Sequence, residues 1–185
     1  RDPEIHNHLP PSFLFHPLPP GKPMPETAGG IQTSRPEVSR PESDTDLAFL
    51  PVTHLARLVE SRQITSMELT ELYLSRLKKF NPILMCVVNL TEDLAREQAA
   101  RADAEIAAGN YRGPLHGIPW GAKDLLAVKG TKTTWGASPY RDRVIDEDAT
   151  VYTKLTEAGA VLVAKLTMGA LAQGDRWFGG RTRNP

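Results

Sequence analysis

Gly113-Pro-Leu-His-Gly-Ile-Pro-Trp-Gly-Ala-Lys-Asp124 is a short apolar segment that is bracketed by glycine and proline and ends in a lysine and an aspartate. Because Gly117-Ile-Pro119 permits a tight entry, residues 118–126 are predicted to form a strand that ends near Lys123. Residues 149–158 then predict a helix, capped by Asp148 and terminated by Gly159, and residues 160–164 predict a second, fully apolar strand. Strand, helix and strand in this order predict an α/β fold, with a mixed, largely parallel sheet covered by helices.

Upstream of this unit, apolar residues recur at helical spacing. A short helix is predicted over residues 52–61. Thr65-Ser-Met-Glu68 is a capping box that begins a second helix, and Asn81-Pro82 is expected to end it. Residues 83–90 form an apolar run, apolar except for Asn89, that is short enough for a buried strand, and residues 91–108 predict a helix with an alanine-rich inner face. The globular part is therefore predicted to begin near residue 46.

Residues 1–45 differ in composition from the rest, since they hold ten of the sixteen prolines and almost no periodic apolar pattern. Such a segment cannot bury enough surface to offset its ordering entropy, so we predict a proline-rich extended or disordered arm, followed by a domain over residues 46–185. His6, His8 and His16 lie in this arm without a cysteine or carboxylate cluster to complete a metal site. We expect no metal and no organic cofactor.

The overall composition excludes several function classes. Lysine plus arginine equals aspartate plus glutamate at 22 each, so no net charge attracts nucleic acid or an acidic membrane surface. No apolar run approaches the ~20 residues that cross a bilayer, and a single cysteine, Cys86, cannot form an intrachain disulfide. The chain begins with Arg1, so we expect an excised fragment or a processed chain. The sequence predicts a soluble protein and leaves cytoplasmic and exported locations, and the oligomeric state, open.

Three blocks in the same order resemble the amidase signature hydrolases. The first is Pro114-Leu-His-Gly-Ile-Pro119 with Lys123 and Asp124. The second, Asp148 to Met168, looks like the family's helix-strand unit and its Lys-Thr-x-Met segment, although Leu166 separates Lys165 from Thr167. The third, Gly180-Arg-Thr-Arg-Asn-Pro185, resembles the lead-in to the family's serine- and glycine-rich loop. Ordered blocks seldom recur by chance, so the resemblance over residues 47–185 is specific.

The resemblance implies amide hydrolysis through an acyl-enzyme, by a triad of a serine, a cis-serine and a lysine. The matching lysine is Lys123, which would be the ultimate base. A free amine titrates near ~10.4, so Lys123 can accept a proton at neutral pH only if burial lowers its pKa. The neighbouring apolar residues Ile118, Trp120, Leu125 and Leu126 are expected to provide that burial. Side chains alternate along a strand, so Asp124 is expected to face away from Lys123 and to make structural hydrogen bonds.

The resemblance places both triad serines and the oxyanion-hole amides in a loop that follows the Arg-Asn-Pro match, so we expect the remainder of the same polypeptide to supply them. The eight serines of the chain lie in the arm, on helices or in a turn. The family also makes substrate contacts after the second block. Met168 and Leu171 are therefore candidate substrate-binding residues, and Trp177 and Phe178 either line an acyl pocket or belong to ordinary packing.

Other interpretations of single residues are weaker. The spacing from Gly117 to Lys123 does not fit a phosphate-binding loop, because Ala122 separates glycine from lysine and Asp124 would repel phosphate. Cys86 lies in an apolar run and is expected to be inert packing, and His116 is expected to be a hydrogen-bonding loop residue. For the whole protein, the leading hypothesis is a free-standing amidase acting on a small-molecule amide. The alternatives are the glutamine-hydrolysing subunit of a tRNA-dependent amidotransferase, and a non-catalytic fragment or homologue.

Overall fold

Three short strands and the helices packed on them dominate the computed structural model, which describes residues 21–23 and 34–185. Ser34–Pro185 form one unit. The helices are α1 (Asp44–Ala48), α2 (Val52–Glu60), α3 (Ser66–Leu84), α4 (Glu92–Ala107) and α5 (Thr150–Glu157). The strands of the main sheet are β1 (Val87–Leu90), β2 (Pro119–Lys123) and β3 (Val161–Leu166), and the two-residue strands β4 (Arg176–Trp177) and β5 (Gly180–Arg181) form a hairpin.

The sheet has the order β1-β3-β2, and β2 runs parallel to β3. The crossover from β2 through α5 to β3 is the unit that the sequence predicts, and it confirms an α/β fold with a mixed sheet. β1 is antiparallel to β3, so only one of the two pairings is parallel. Thr91 extends the β1 pairing, because its backbone N–H donates to Val163 O at 3.1 Å and its hydroxyl donates to Leu162 O at 2.7 Å.

Alanine on one face of α4 lets this helix pack closely on the sheet. Ala95 and Ala99 are fully buried and share a cluster with Val161 and Val163 of β3. Leu74 of α3 belongs to the same cluster. The predicted alanine-rich inner face is therefore confirmed, and it brings α3 and α4 together over one side of the sheet.

The helix α3 begins as predicted and ends later than predicted. Its capping box is present, with the Thr65 hydroxyl accepting from Glu68 N and the Glu68 carboxylate accepting from Thr65 N. The prediction that Asn81-Pro82 ends the helix is wrong, because α3 continues to Leu84 with Pro82 inside its last turn. There the missing N–H costs a single helical hydrogen bond. The helix ends at Met85, whose φ is +52°, and Asn81 Oδ1 accepts from the N–H groups of Cys86 and Val87, at 2.9 and 2.8 Å.

Two further local predictions need correction. Asp148 does not cap α5, because Ala149 occupies the cap position and the Asp148 carboxylate instead accepts from Lys129 N at 2.7 Å. The apolar run 83–90 yields a strand only from Val87, since its first two residues belong to α3.

Most of the proline-rich arm, and all three of its histidines, lie outside the described residues. Its described end contacts α3 and the connection between α2 and α3: Gln63 Nε2 donates to Val38 O at 3.1 Å, and Arg40 pairs with Glu68 of α3 at 3.1 Å. The domain boundary near residue 45 stays a prediction.

Candidate active site

Residues 113–118, the signature loop, lead into β2 through a turn that only glycine adopts easily. Gly117 has a φ of +76°, and a Cβ there would lie 3.0 Å from Ser66 Cβ. Its N–H donates to Gly159 O at 2.8 Å, and its carbonyl accepts from the Ser66 hydroxyl at 2.8 Å. The loop is thereby fixed both to the start of α3 and to the turn between α5 and β3. This explains why β2 begins beside β3.

Lys123 is the last residue of β2 and its side chain is exposed. Its strand partner is Leu166, the last residue of β3. The next residue, Asp124, is fully buried, and its N–H donates to Leu166 O at 2.8 Å. Lys123 and Asp124 thus have opposite environments, as the alternation along a strand predicts.

The expectation that apolar neighbours bury Lys123 is wrong for the part of the chain that the structure describes. β2 is an edge strand of the three-stranded sheet and pairs only with β3. Ala122 and Ile118 are buried in the core, whereas Leu125 is 47% exposed. Apolar residues next to Lys123 in sequence therefore do not surround its amine, because alternation sends the closest of them to the other face.

Asp124 makes the structural hydrogen bonds that the sequence predicts. Its Oδ2 accepts from the backbone N–H of Thr134 at 2.9 Å and from the Thr134 hydroxyl. Its Oδ1 accepts from Lys165 Nζ at 3.0 Å. Each oxygen of this buried carboxylate therefore has a donor.

Lys165 is a second buried charge, and the sequence patterns did not reveal it. Its side chain is 0% exposed, and Nζ also donates to Lys132 O at 3.2 Å and to the Thr133 hydroxyl at 3.1 Å. Burial lowers the pKa of Lys165, and the hydrogen bond to Asp124 opposes that shift. A lysine inside the otherwise apolar strand Val161–Leu166 is the signal that could have revealed it.

Met168 and Leu171, the predicted substrate contacts, have different environments. Met168 is 5% exposed, whereas Leu171 is 58% exposed. A Cβ at Gly136 would lie 2.3 Å from Met168 O, so the segment after β3 packs tightly on the turn at Gly136. Met168 is part of this packing, and of the two only Leu171 has a side chain that is open to a ligand.

The segment that carries Leu171 is strained. Leu171 and Ala172 have φ of +52° and +66°, and Trp135, whose carbonyl accepts from Leu171 N at 2.9 Å, also has a φ of +52°. Left-handed non-glycine residues cost of order 1 kcal/mol each and concentrate at functional sites. The loops after β2 and β3 are thus joined in one constrained arrangement.

The hairpin β4–β5 adds aromatic side chains to these loops. Phe178 N donates to Gly136 O at 3.0 Å, and the rings of Trp177 and Phe178 meet edge to face with centroids 4.9 Å apart. Arg141 lies over the Phe178 ring, 5.6 Å from its centroid. Trp177 and Phe178 therefore pack together beside the Gly136 turn.

His116 is a hydrogen-bonding loop residue, as predicted, and its side chain is buried. Its Nδ1 accepts from Arg112 N at 3.1 Å, and its Nε2 lies 3.1 Å from Glu105 Oε2 without a well-aligned hydrogen bond. Burial lowers the pKa of His116, against the opposing effect of the Glu105 charge. A neutral imidazole in this position supports the loop that leads into β2.

Cys86 and three of the serines are also accounted for structurally. Cys86 is half-buried, and burial raises the pKa of its thiol, which disfavours the reactive thiolate. Ser43 caps α1, Ser61 donates to Arg57 O at 2.7 Å, and Ser66 donates to Gly117 O. None of these three hydroxyls is arranged as a nucleophile beside a base.

Residues 21–23 and 34–185 contain neither a metal-binding cluster nor a membrane-spanning helix. No group of three or more His, Cys, Asp or Glu side chains within these ranges is placed to hold a metal ion. None of the helices there combines the length and apolarity that crossing a membrane requires.

Comparison with known proteins gives consistent matches. The model of the family described as Amidase matches residues 68–185. A putative amidase, AmiD, of Mycobacterium tuberculosis is 40% identical over 129 residues, which are 69% of this chain and 27% of the relative. The A subunit of the glutamyl-tRNA(Gln) amidotransferase of Heliobacterium modesticaldum is 40% identical over 118 residues, which are 64% of this chain and 24% of that protein.

The fold has solved counterparts as well. Native peptide amidase from Stenotrophomonas maltophilia superposes with a TM-score of 0.67 at 32% identity, over 74% of this chain and 30% of that one. The chain therefore spans less than a third of the length of these three proteins.

Proposed function

The chain belongs to the amidase family, and from this premise we propose that it is the N-terminal part of an enzyme that hydrolyses a carboxylic amide through a serine acyl-enzyme, with Lys123 as the base. The observation that carries the proposal is the position of Lys123. Lys123 is the last residue of β2 and its side chain is exposed. The adjacent carboxylate of Asp124 is buried, and both of its oxygens accept hydrogen bonds.

In the proposed mechanism, the neutral amine of Lys123 takes a proton from a bridging serine. That serine takes a proton from the nucleophilic serine, which attacks the carbonyl carbon of the amide. The two serines and the donors of the oxyanion hole belong to sequence outside these 185 residues. The share of AmiD that the chain covers, 27%, supports this assignment, because most of such a protein lies beyond the matched region.

The same additional sequence must cover Lys123, since an amine that titrates near ~10.4 is protonated at neutral pH until burial lowers its pKa. Leu171, which is 58% exposed on a strained segment, is the better of the two candidate substrate contacts. Met168 is buried in the packing that supports that segment.

The alternative is a glutaminase subunit that delivers ammonia to a tRNA-bound substrate on a partner protein. The 40% identity to the A subunit of an amidotransferase supports it. A free-standing amidase releases ammonia from simple amides by itself, whereas a glutaminase subunit needs its partner for full glutamine hydrolysis. A non-catalytic homologue would release ammonia under neither condition.

The test is ammonia release by the full-length protein from primary amides, peptide amides and glutamine. We expect Lys123→Ala to lower turnover by about 10²-fold to 10⁴-fold, the usual contribution of a general base. Lys129→Ala is the matched control, because Lys129 is 63% exposed on the following loop and its amine pairs with Asp146. Full activity of Lys123→Ala, with the control also active, would refute the base assignment.

A further inference from the structure

Lys165 and Asp124 form a buried ion pair that the proposed mechanism does not use. Both side chains are 0% exposed, and Lys165 Nζ lies 3.0 Å from Asp124 Oδ1. Neither charge faces solvent, and neither can bind a ligand without leaving its partners. The pair can therefore affect the reaction only through its neighbours.

The nearest functional neighbour is Lys123. Asp124 is the next residue in the chain, and Lys165 immediately precedes Leu166, the strand partner of Lys123. A buried carboxylate with no counter-charge would favour the protonated form of a nearby amine. Lys123 must be neutral to act as a base, so an unpaired Asp124 would work against the reaction.

Stability alone does not explain the pair. Two charges taken out of water carry a large desolvation cost, and well-packed apolar residues of similar volume are often equally stable or more so. The pair nevertheless has complete hydrogen bonding, with Thr134 on the carboxylate and Thr133 and Lys132 O on the ammonium. Each N–H of the ammonium and each oxygen of the carboxylate therefore has a partner.

We propose that Lys165 is a positioning residue for the reaction: its buried ammonium cancels the charge of Asp124 and so keeps that carboxylate from acting on the amine of Lys123. This inference rests on the proposed function of Lys123. Among the described residues, Asp124 is the only ionised side chain in contact with Lys165 Nζ. The ammonium of Lys132, whose carbonyl the network uses, pairs instead with Asp142 at 2.7 Å on the surface.

The experiment compares the pH dependence of kcat/KM for the full-length protein and three variants. The acid limb of this profile reports the base in the free enzyme. With each remaining Asp124 and Lys165 side chain counted as ionised, the formal charge of the pair is zero in the wild type and in Asp124→Asn/Lys165→Met, minus one in Lys165→Met, and plus one in Asp124→Asn. We expect the acid limb of Lys165→Met to move up, that of Asp124→Asn to move down, and that of the double variant to match the wild type.

Each single substitution is expected to shift the acid limb by about one pH unit, the effect of a unit charge roughly 10 Å away at an effective dielectric constant of about 20. Lys154→Met is the control, since Lys154 is 71% exposed on α5 and pairs with Glu157. A purely structural role for Lys165 would lower the melting temperature and leave the acid limb in place. If Lys165→Met does not fold because of its unpaired carboxylate, the acid limbs of the other three proteins still test the proposal. That of Asp124→Asn should lie below those of the wild type and the double variant.

The outcomes separate this inference from the proposed function. Acid limbs that coincide in all folded variants, with Lys123→Ala inactive, would overturn the role of Lys165 and leave the base assignment intact. An active Lys123→Ala would overturn the proposed function itself. The predicted order, with Lys123→Ala inactive, supports both.

Discussion

Gly159 and Gly109 offer a matched pair of substitutions that isolates one packing contact of the signature loop. Each glycine follows a helix and has a φ of +85°. A Cβ at Gly159 would lie 2.3 Å from His116 Cδ2, whereas a Cβ at Gly109 would meet no atom within 4 Å. Gly159→Ala and Gly109→Ala therefore share the same backbone strain and differ in the overlap with His116.

The magnitude of the difference follows from that overlap. A left-handed alanine costs ~1–2 kcal/mol, and the reduced freedom of the unfolded chain returns about 0.4–1 kcal/mol. Gly109→Ala should thus destabilise by about 1 kcal/mol. Forcing a methyl group into a packed site adds ~1–3 kcal/mol, and the buried His116 ring has little room to move. We expect Gly159→Ala to destabilise by about 2–4 kcal/mol.

The assay is urea unfolding of the full-length protein, followed by tryptophan fluorescence, for the wild type and both variants. The expected result is a larger loss of unfolding free energy in Gly159→Ala than in Gly109→Ala. The slope of that free energy against urea concentration should be similar in all three proteins. Equal losses in the two variants would refute the packing of the signature loop on the turn before β3.

Two further predictions concern the surroundings of the same loop. Asp103 accepts from Ser66 N at 2.6 Å and from Met67 N at 3.0 Å, so Asp103→Ala should cost about 1–2 kcal/mol in the same urea assay. Asp93→Ala, on the exposed side of α4, should change stability by less than about 0.5 kcal/mol. Equal losses of stability in Asp103→Ala and Asp93→Ala would contradict the role of Asp103 as an acceptor for the first N–H groups of α3. Burial lowers the pKa of His116 from 6.5, so the unfolded state binds more protons there and stability should fall as the pH drops below about 6.5. His116→Gln should flatten that part of the stability profile, and parallel profiles for the two proteins would show that another group titrates.

The sequence predicts the local units of the fold well. The capping box at Thr65, the alanine face of α4 and the β2–α5–β3 unit each depend on residues close together in the chain, whose spacing sets the structure directly. The opposite environments of Lys123 and Asp124 follow in the same way from strand alternation. These predictions required no knowledge of distant contacts.

The failures involve distant contacts or competing partners. Aspartate is a common helix-capping residue, yet the carboxylate of Asp148 accepts a hydrogen bond from Lys129 N, 19 positions earlier in the chain. Lys165 pairs with Asp124, which lies 41 positions earlier in the chain, and no short-range sequence pattern predicts that pairing. The exposure of Lys123 depends on what lies beside β2, so apolar neighbours in sequence are a poor guide to it. Pro82 remains in α3 because its position in the last turn limits the loss to one hydrogen bond.

The central proposal is that Lys123 activates a serine outside these 185 residues. A serine-directed fluorophosphonate probe tests it most directly, when the labelled full-length protein is digested and the modified residue is located by mass spectrometry. We predict labelling at one serine outside the 185 residues, and loss of that labelling in Lys123→Ala but not in Lys129→Ala. Labelling of Ser66 or another serine within the chain, or undiminished labelling of Lys123→Ala, would contradict it.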